Sequence, residues 1–169
     1  MDQRLSAIEA EIPRLRRYAR YLTRDSDRAD DLVQECLARA IAKVDSWQPG
    51  TNMRAWLFVI LRNAHISEVR RHNRGPALDV VDDDHPGLAV GGGYDVRLEM
   101  LELRVAFEEL STEHREVLHL IVIEGLKYEE AAEIMGVPVG TVRSRLSRAR
   151  LTLRNRLEGA SLDTGQGVA

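Results

Sequence analysis

The stretch RGPALDVVDDDHPGLAVGGGYD, residues 74–95, limits the folds open to this chain more than any other feature. It holds two prolines and five glycines and shows neither a helical nor an alternating apolar period, so no regular element is expected to run through it. Such a composition reads as a flexible tether. Each flanking piece is short enough that a single core is only marginally stabilising, so docking on a partner is expected to help order it.

On both sides of the tether apolar residues recur at helical spacing. A short helix over 3–10 and a second over 13–23 are expected, with Pro13 in the first turn of the second. Over 27–44, Leu32, Val33, Cys36, Leu37, Ala40, Ile41 and Val44 form one stripe, and Asp27 and Asp30 are placed to cap that helix. The segment DSWQPGTN reads as a turn, after which Thr51 can cap a longer helix over 52–72. Its centre, AWLFVIL, is apolar on every side, so it is expected to be covered on more than one face and to lie at the middle of the first unit. Beyond the tether, helices are expected over 96–109 and 112–124, followed by a short helix, a turn and a last helix from Val139. Val80–Val81 and Leu88–Val90 are too short and too glycine-rich for strands. The fold class expected is all-α: two small helical bundles joined by a flexible linker.

No apolar run approaches the roughly 20 residues that cross a bilayer, and no signal peptide is recognisable. The single cysteine, Cys36, sits among helix formers and reads as core filler. A soluble cytoplasmic protein is expected. The charges are segregated along the chain. Residues 1–74 carry 14 basic and 10 acidic side chains, 75–95 carry five Asp and no cation, and 96–138 carry four basic against ten acidic. Residues 139–158 then carry six Arg against Glu158 alone. Segregation of this kind points to two faces with two different partners.

In the last helix, at about 100° per residue, Val142, Leu146, Ala149 and Leu153 fall on one stripe. Arg143, Arg150 and Arg154 flank it on one side, with Arg145, Arg148 and Arg156 on the other. Ser144 and Ser147 point away between them. Small hydroxyl side chains between two rows of guanidinium suit a major groove, the flanks reaching phosphates and the middle approaching base edges. Leu151 also points outward, with no role evident in the sequence. Upstream, YEEAAEIM is a short amphipathic helix in which Ala132 permits a close crossing. Gly136 can take the positive φ that ends it, and Pro138 fixes the turn. Together these make a helix-turn-helix. An arginine-rich helix alone is as readily a solvated surface; the turn and the small-residue helix at the right offset favour DNA.

With DRADDLVQECLARAI, then PGTNMRAWLFVILRN, then EGLKYEEAAEIMGVPVGTVRSRLSRAR in this order, the chain resembles a bacterial RNA polymerase sigma factor of the extracytoplasmic-function group over residues 5–158. PGTNMRAWLF is similar to the general-stress-response subgroup of alphaproteobacteria. The resemblance implies region 2 over 1–74, an acidic linker over 75–95, region 4 over 96–158 and a disordered tail over 159–169. It implies that Asp30, Asp31, Leu32, Gln34 and Glu35 meet core polymerase at the clamp helices of its largest subunit. It implies −10 recognition by Ser46, Trp47, Gln48, Asn52, Arg54 and Arg62, with Arg70, Arg71 and Arg74 tracking the backbone. Trp47 and Trp56 can be either core anchors or platforms for an unstacked base. Thr141, Arg143, Ser144, Arg145, Arg148 and Arg150 are the implied −35 contacts. Promoter DNA, core polymerase and an anti-sigma factor are the implied partners, with membrane contact only through the last. No cofactor and no enzyme activity is implied. Lys127 departs from the family, which carries Ser or Thr at that cap; Glu129 and Glu130 soften the loss at the positive end of the helix dipole.

Rival readings explain less. DDDH at 82–85 has metal-binding side chains but lies in the tether, and His65 and His72 read as surface histidines near nucleic acid. A sigma-like adaptor that captures an anti-sigma factor is expected to carry a receiver domain, for which the short tail leaves no room, and to have lost the arginines. A plain helix-turn-helix regulator leaves DDLVQE and the all-apolar helix unexplained.

Overall fold

The computed structural model describes residues 2–73 and 94–163, in two compact units, Met1–Pro86 and Gly87–Ala169. All regular structure among the described residues is helical. The first unit holds α1 (Asp2–Thr23), α2 (Ser26–Ala42) and α3 (Met53–His72), with a 3-10 turn at Val44–Ser46. The second holds α4 (Tyr94–Glu108), α5 (Thr112–Leu118), a π-helical turn at His119–Ile123, α6 (Tyr128–Met135) and α7 (Val139–Asp163).

The two helices expected before residue 24 are one. Pro13 sits inside α1, where it removes one donor and crowds the carbonyl of Glu9. Pro13 and Glu9 are both exposed, so the acceptor that loses its donor is not sealed in the core, while buried Ile8, Leu15, Tyr18 and Ala19 lie on both sides of the proline. The caps also differ from expectation. Asp25, not Asp27 or Asp30, caps α2, accepting the Arg28 N–H at 2.8 Å. Asn52, not Thr51, caps α3, accepting the Arg54 N–H at 3.1 Å. Thr51 instead closes the turn of Gln48-Pro49-Gly50-Thr51, where Gly50 takes φ 92° and the Thr51 N–H reaches the Gln48 carbonyl at 3.2 Å. Proline second and left-handed glycine third are what such a turn requires.

α1, α2 and α3 pack pairwise against one another, so α3, expected at the middle of the unit, has the same number of helix neighbours as the other two. Leu57, Phe58 and Leu61 are fully buried, and Phe58 stacks on Tyr18 with centroids 4.6 Å apart. Trp56, Val59 and Ile60 stay half-buried, because two neighbours cannot close every side of a helix. On α2, Leu32, Val33, Cys36 and Ala40 are buried, but Ile41 is exposed where the helix runs out.

Cys36 confirms the core-filler reading: its thiol donates to the Leu57 carbonyl at 3.5 Å, and burial pushes it up to about 12 from 9.0, Arg39 opposing and Glu35 adding. Because the folded value is raised, the thiol's contribution to stability is intact below pH 9 and is lost as pH climbs towards 12. The native chain is therefore expected to resist a thiol-specific chromogenic reagent at pH 8 and to react stoichiometrically once urea unfolds it. Fast labelling of the native chain is the contrary result.

In the second unit α7 packs on α4, α5 and α6. Val142, Leu146 and Ala149 on α7 are buried, as are Val117 on α5 and Ala131 and Met135 on α6, and Leu153 is half-buried. The helix expected over 112–124 changes pitch at His119, whose carbonyl accepts the Glu124 N–H at 3.0 Å across five residues. α7 runs to Asp163, so residues 159–163 are helix where a tail was expected. The tether residues 74–93, with DDDH and Arg74, and residues 164–169 lie outside the described residues.

Candidate nucleic-acid interface

The turn between α6 and α7 sets the angle at which α7 is presented. Gly136 takes φ 66°, the left-handed conformation that glycine adopts without a Cβ penalty. The Val137 N–H then bonds the Ala132 carbonyl at 3.1 Å and the Gly136 N–H bonds the Glu133 carbonyl at 3.3 Å, the paired closure of a Schellman ending. The Pro138 carbonyl accepts from Thr141 and Val142 at 2.9 and 3.2 Å, starting α7 at once. At the other end of α6, lysine has no acceptor with which to replace the missing hydroxyl cap. Glu130 answers by accepting the Lys127 N–H at 2.8 Å, one half of a capping box.

The six arginines of α7 separate into distinct environments. Arg143, Arg150 and Arg154 border an open groove of about 340 Å³ together with Tyr128, Leu146 and Ser147. The Arg143 guanidinium lies 5.7 Å from the centroid of the Tyr128 ring, within cation–π range. On the opposite margin, Arg156 is bound to Glu109 at 2.8 Å, and half-buried Arg145 faces Glu113 on α5. The Glu113 carboxyl is held below its ordinary range by its own backbone N–H, then by the Ser111 hydroxyl, with a smaller contribution from Arg145. Arg148, Arg150 and Arg154 are exposed and form no ion pair among the described residues.

The face between the margins therefore presents Ser144, Ser147, Arg148 and Leu151 outward, with Leu151 52% exposed. Ser144 turns its hydroxyl back to the Thr141 carbonyl at 3.0 Å, and Thr141 is half-buried. The sequence did not single out Tyr128, Glu109 or Glu113. Tyr128, at the start of a helix beside an arginine-bearing one, was the only one of these with a local signal.

In the first unit the acidic edge of α2 is narrower than the motif suggested. Asp31 and Gln34 are exposed, whereas Asp30 lies 3.5 Å from Arg16 and Glu35 is paired with Arg39. Leu32 is a correction: at 2% exposure it faces the core, because it falls on the apolar stripe of the same helix and cannot also serve the edge. Of the residues expected at the −10 element, Ser46 hydrogen bonds the Lys43 carbonyl at 2.6 Å, Gln48 gives only its backbone carbonyl to the turn and keeps its side chain exposed, Asn52 caps α3, and Arg54 binds Glu11 at 2.9 Å. Trp47 is half-buried, and its indole N–H is buried with no acceptor among the described residues. Arg62 is half-buried, while Arg70 and Arg71 are exposed in the last turn of α3. Among the described residues no group of three or more His, Cys, Asp or Glu is placed to hold a metal, and no helix is long and apolar enough to cross a membrane.

Residues 8–62 match the family described as the Sigma2 domain of PhyR, and residues 100–153 match Sigma-70, region 4. The chain is 46% identical over 149 residues to the ECF RNA polymerase sigma factor EcfG of Rhodopseudomonas palustris, covering 86% of this chain and 80% of that one. It superposes with a TM-score of 0.73 on the sigma factor RpoE of Bartonella quintana, solved with the anti-sigma factor NepR, at 35% identity over 94% of this chain and 98% of that one. The match to CnrH, solved with the cytosolic domain of CnrY, has a TM-score of 0.62 at 27% identity, covering 92% and 88%.

Proposed function

This chain belongs to the extracytoplasmic-function sigma factors of RNA polymerase, and from that premise we propose how its residues divide the work. A sigma factor of this group binds core polymerase, directs it to promoters and is held inactive by an anti-sigma factor. Residues 1–74 serve as region 2, 75–95 as the linker and 96–158 as region 4. The chain acts as a cytoplasmic transcription factor of the stress response with no chemistry of its own, restrained by a partner of the NepR kind.

The observation that supports this division best is the outward, unpaired set of cations on α7. Arg148, Arg150 and Arg154 reach phosphates on either side of the −35 element. Arg143, steadied over Tyr128, and Ser144 and Ser147 approach base edges. Leu151 supplies the apolar contact that a thymine methyl takes. Arg145, half-buried on the margin near Glu113, serves the edge of this surface rather than its centre. In the first unit, Asp31 and Gln34 meet the clamp helices first. Asp30 and Glu35 exchange Arg16 and Arg39 for basic groups of polymerase, which favours orientation and on-rate over raw affinity. Trp47 and its neighbours meet the −10 element. Neither unit alone holds DNA tightly; docking on polymerase fixes their spacing and makes the second contact effectively intramolecular.

The test is transcription in vitro with purified core polymerase. Transcripts are expected only with this chain present, and scrambling either promoter element separately is expected to remove most of them. Transcription indifferent to both elements would reject the division, and binding to an anti-sigma factor without any transcription would favour the adaptor reading.

A further inference from the structure

The recognition loop of the first unit is held at both ends by one helix. Arg4, Ile8, Glu11 and Leu15 recur at helical spacing on α1, and Ile8 and Leu15 are buried beneath the two charged residues. At the loop's entrance, Arg4 Nη1 donates to the Val44 carbonyl at 3.3 Å and to Asp45 Oδ1 at 3.0 Å. At its exit, Glu11 Oε2 accepts from Arg54 Nε at 2.9 Å, with Arg14 Nη1 3.3 Å from the same oxygen. Arg4 and Glu11 are two helical turns apart, about 10 Å along a rigid axis. Everything between Asp45 and Asn52 is suspended across that span.

The two clamps differ in kind. The side chains of Glu11 and Arg54 are only 15% and 20% exposed, so solvent screens their attraction little. The Arg4–Asp45 pair is open, Asp45 being 93% exposed, and contributes geometry through the backbone carbonyl more than charge. An arginine engaged this way in the first turn of α3 is an anchor and not a spare cation for DNA.

We propose that Arg4 and Glu11 are positioning residues for −10 recognition, acting through Val44–Asp45 and Arg54 to set the span of the promoter-reading loop. The inference rests on the reading that residues 46–52 meet the −10 element. A loop stretched to a fixed length presents Trp47 and Gln48 in one geometry, and loss of either clamp lets that geometry relax. The expected consequence is reduced discrimination between promoters, not reduced folding or polymerase binding.

The experiment measures transcription by the full chain with core polymerase from a cognate promoter and from one with a single −10 base changed. Glu11→Gln and Arg4→Gln are each expected to lower the ratio of the two by roughly tenfold, the order of discrimination that a single base carries. Affinity for core polymerase and melting temperature are expected to stay near wild type. The exchanged pair Glu11→Arg with Arg54→Glu, made together with Arg14→Gln so that no like charge faces the new arginine, restores the ratio if Arg54 is an anchor. If the exchange is as defective as Arg54→Glu alone while still melting cooperatively, Arg54 touches DNA and the proposal fails. A wild-type ratio in both Arg4→Gln and Glu11→Gln also overturns it, leaving the loop reading intact. If wild-type chain ignores the base change, the loop reading itself is wrong and the clamps fall with it.

Discussion

Replacing Arg148, Arg150 and Arg154 together with alanine is expected to lower the affinity of the polymerase-bound chain for a −35 fragment by two to three orders of magnitude at about 0.1 M salt. Each phosphate contact releases condensed counterions and adds about 0.9 to the slope of log affinity against log salt, so three contacts account for about 2.7. These arginines are chosen because they are exposed and unpaired among the described residues, so their removal breaks no internal bond. Ala also suits an exposed helical position, so α7 itself is not weakened. Affinity measured across a salt series checks the claim, and a slope unchanged from wild type would show that these guanidinium groups face something other than phosphate. Arg156→Ala is the contrast. Its guanidinium is already spent on Glu109, so the slope is expected to change little.

Phe58→Ala is expected to be the most damaging single change to the first unit. The ring is fully buried and stacked on Tyr18, itself fully buried, at the place where α1 and α3 meet. Emptying such a site costs about 3–5 kcal/mol through lost burial and the cavity left behind. A unit of this size has little more than that to lose. The corresponding fall in melting temperature is roughly 15–30 °C, and core polymerase binding at 37 °C is expected to disappear with it. Calorimetry together with a polymerase pull-down measures both. A shift of only a few degrees would mean that neighbouring side chains close over the gap and that Phe58 is not the keystone of the packing.

The wheel positions of α7 were legible because period alone fixes them: once Val142, Leu146 and Ala149 are taken as inward, Ser144, Ser147 and Arg148 must face out. The ending of α6 was equally legible, since glycine at the stop of an amphipathic run admits few conformations. The caps were not. Three candidate acceptors stand within Asp25–Asp27, and Thr51 adjoins Asn52, so local chemistry offers equivalent starts one or two residues apart. The packing phase of the apolar stripe chooses among them, and it chose Asp25 and Asn52. Pro13 misled for a related reason: its local cost is real, but the buried stripe through Ile8, Leu15 and Tyr18 outweighs it.

Charge pairing was the least legible part of the candidate site. Arg54 and Arg156 have the same side chain as Arg148, and nothing near them in sequence announces Glu11 or Glu109, which arrive from distant parts of the chain. Asp30 belongs to the acidic edge by position yet shares its charge with Arg16 from α1, whereas the Glu35–Arg39 pair, four residues apart on one helix, could be read from spacing alone.

By itself, then, the sequence determined which residues lie on a common face, where helices must stop and how charge divides along the chain. These follow from backbone sterics and a fixed period of rotation, which need no neighbour. Only the tertiary structure decided which cations remain available to DNA and which are consumed as braces between helices. That depends on carboxylates brought within about 3 Å from distant parts of the chain, and Coulomb attraction acts on distance in space, whatever the separation in sequence.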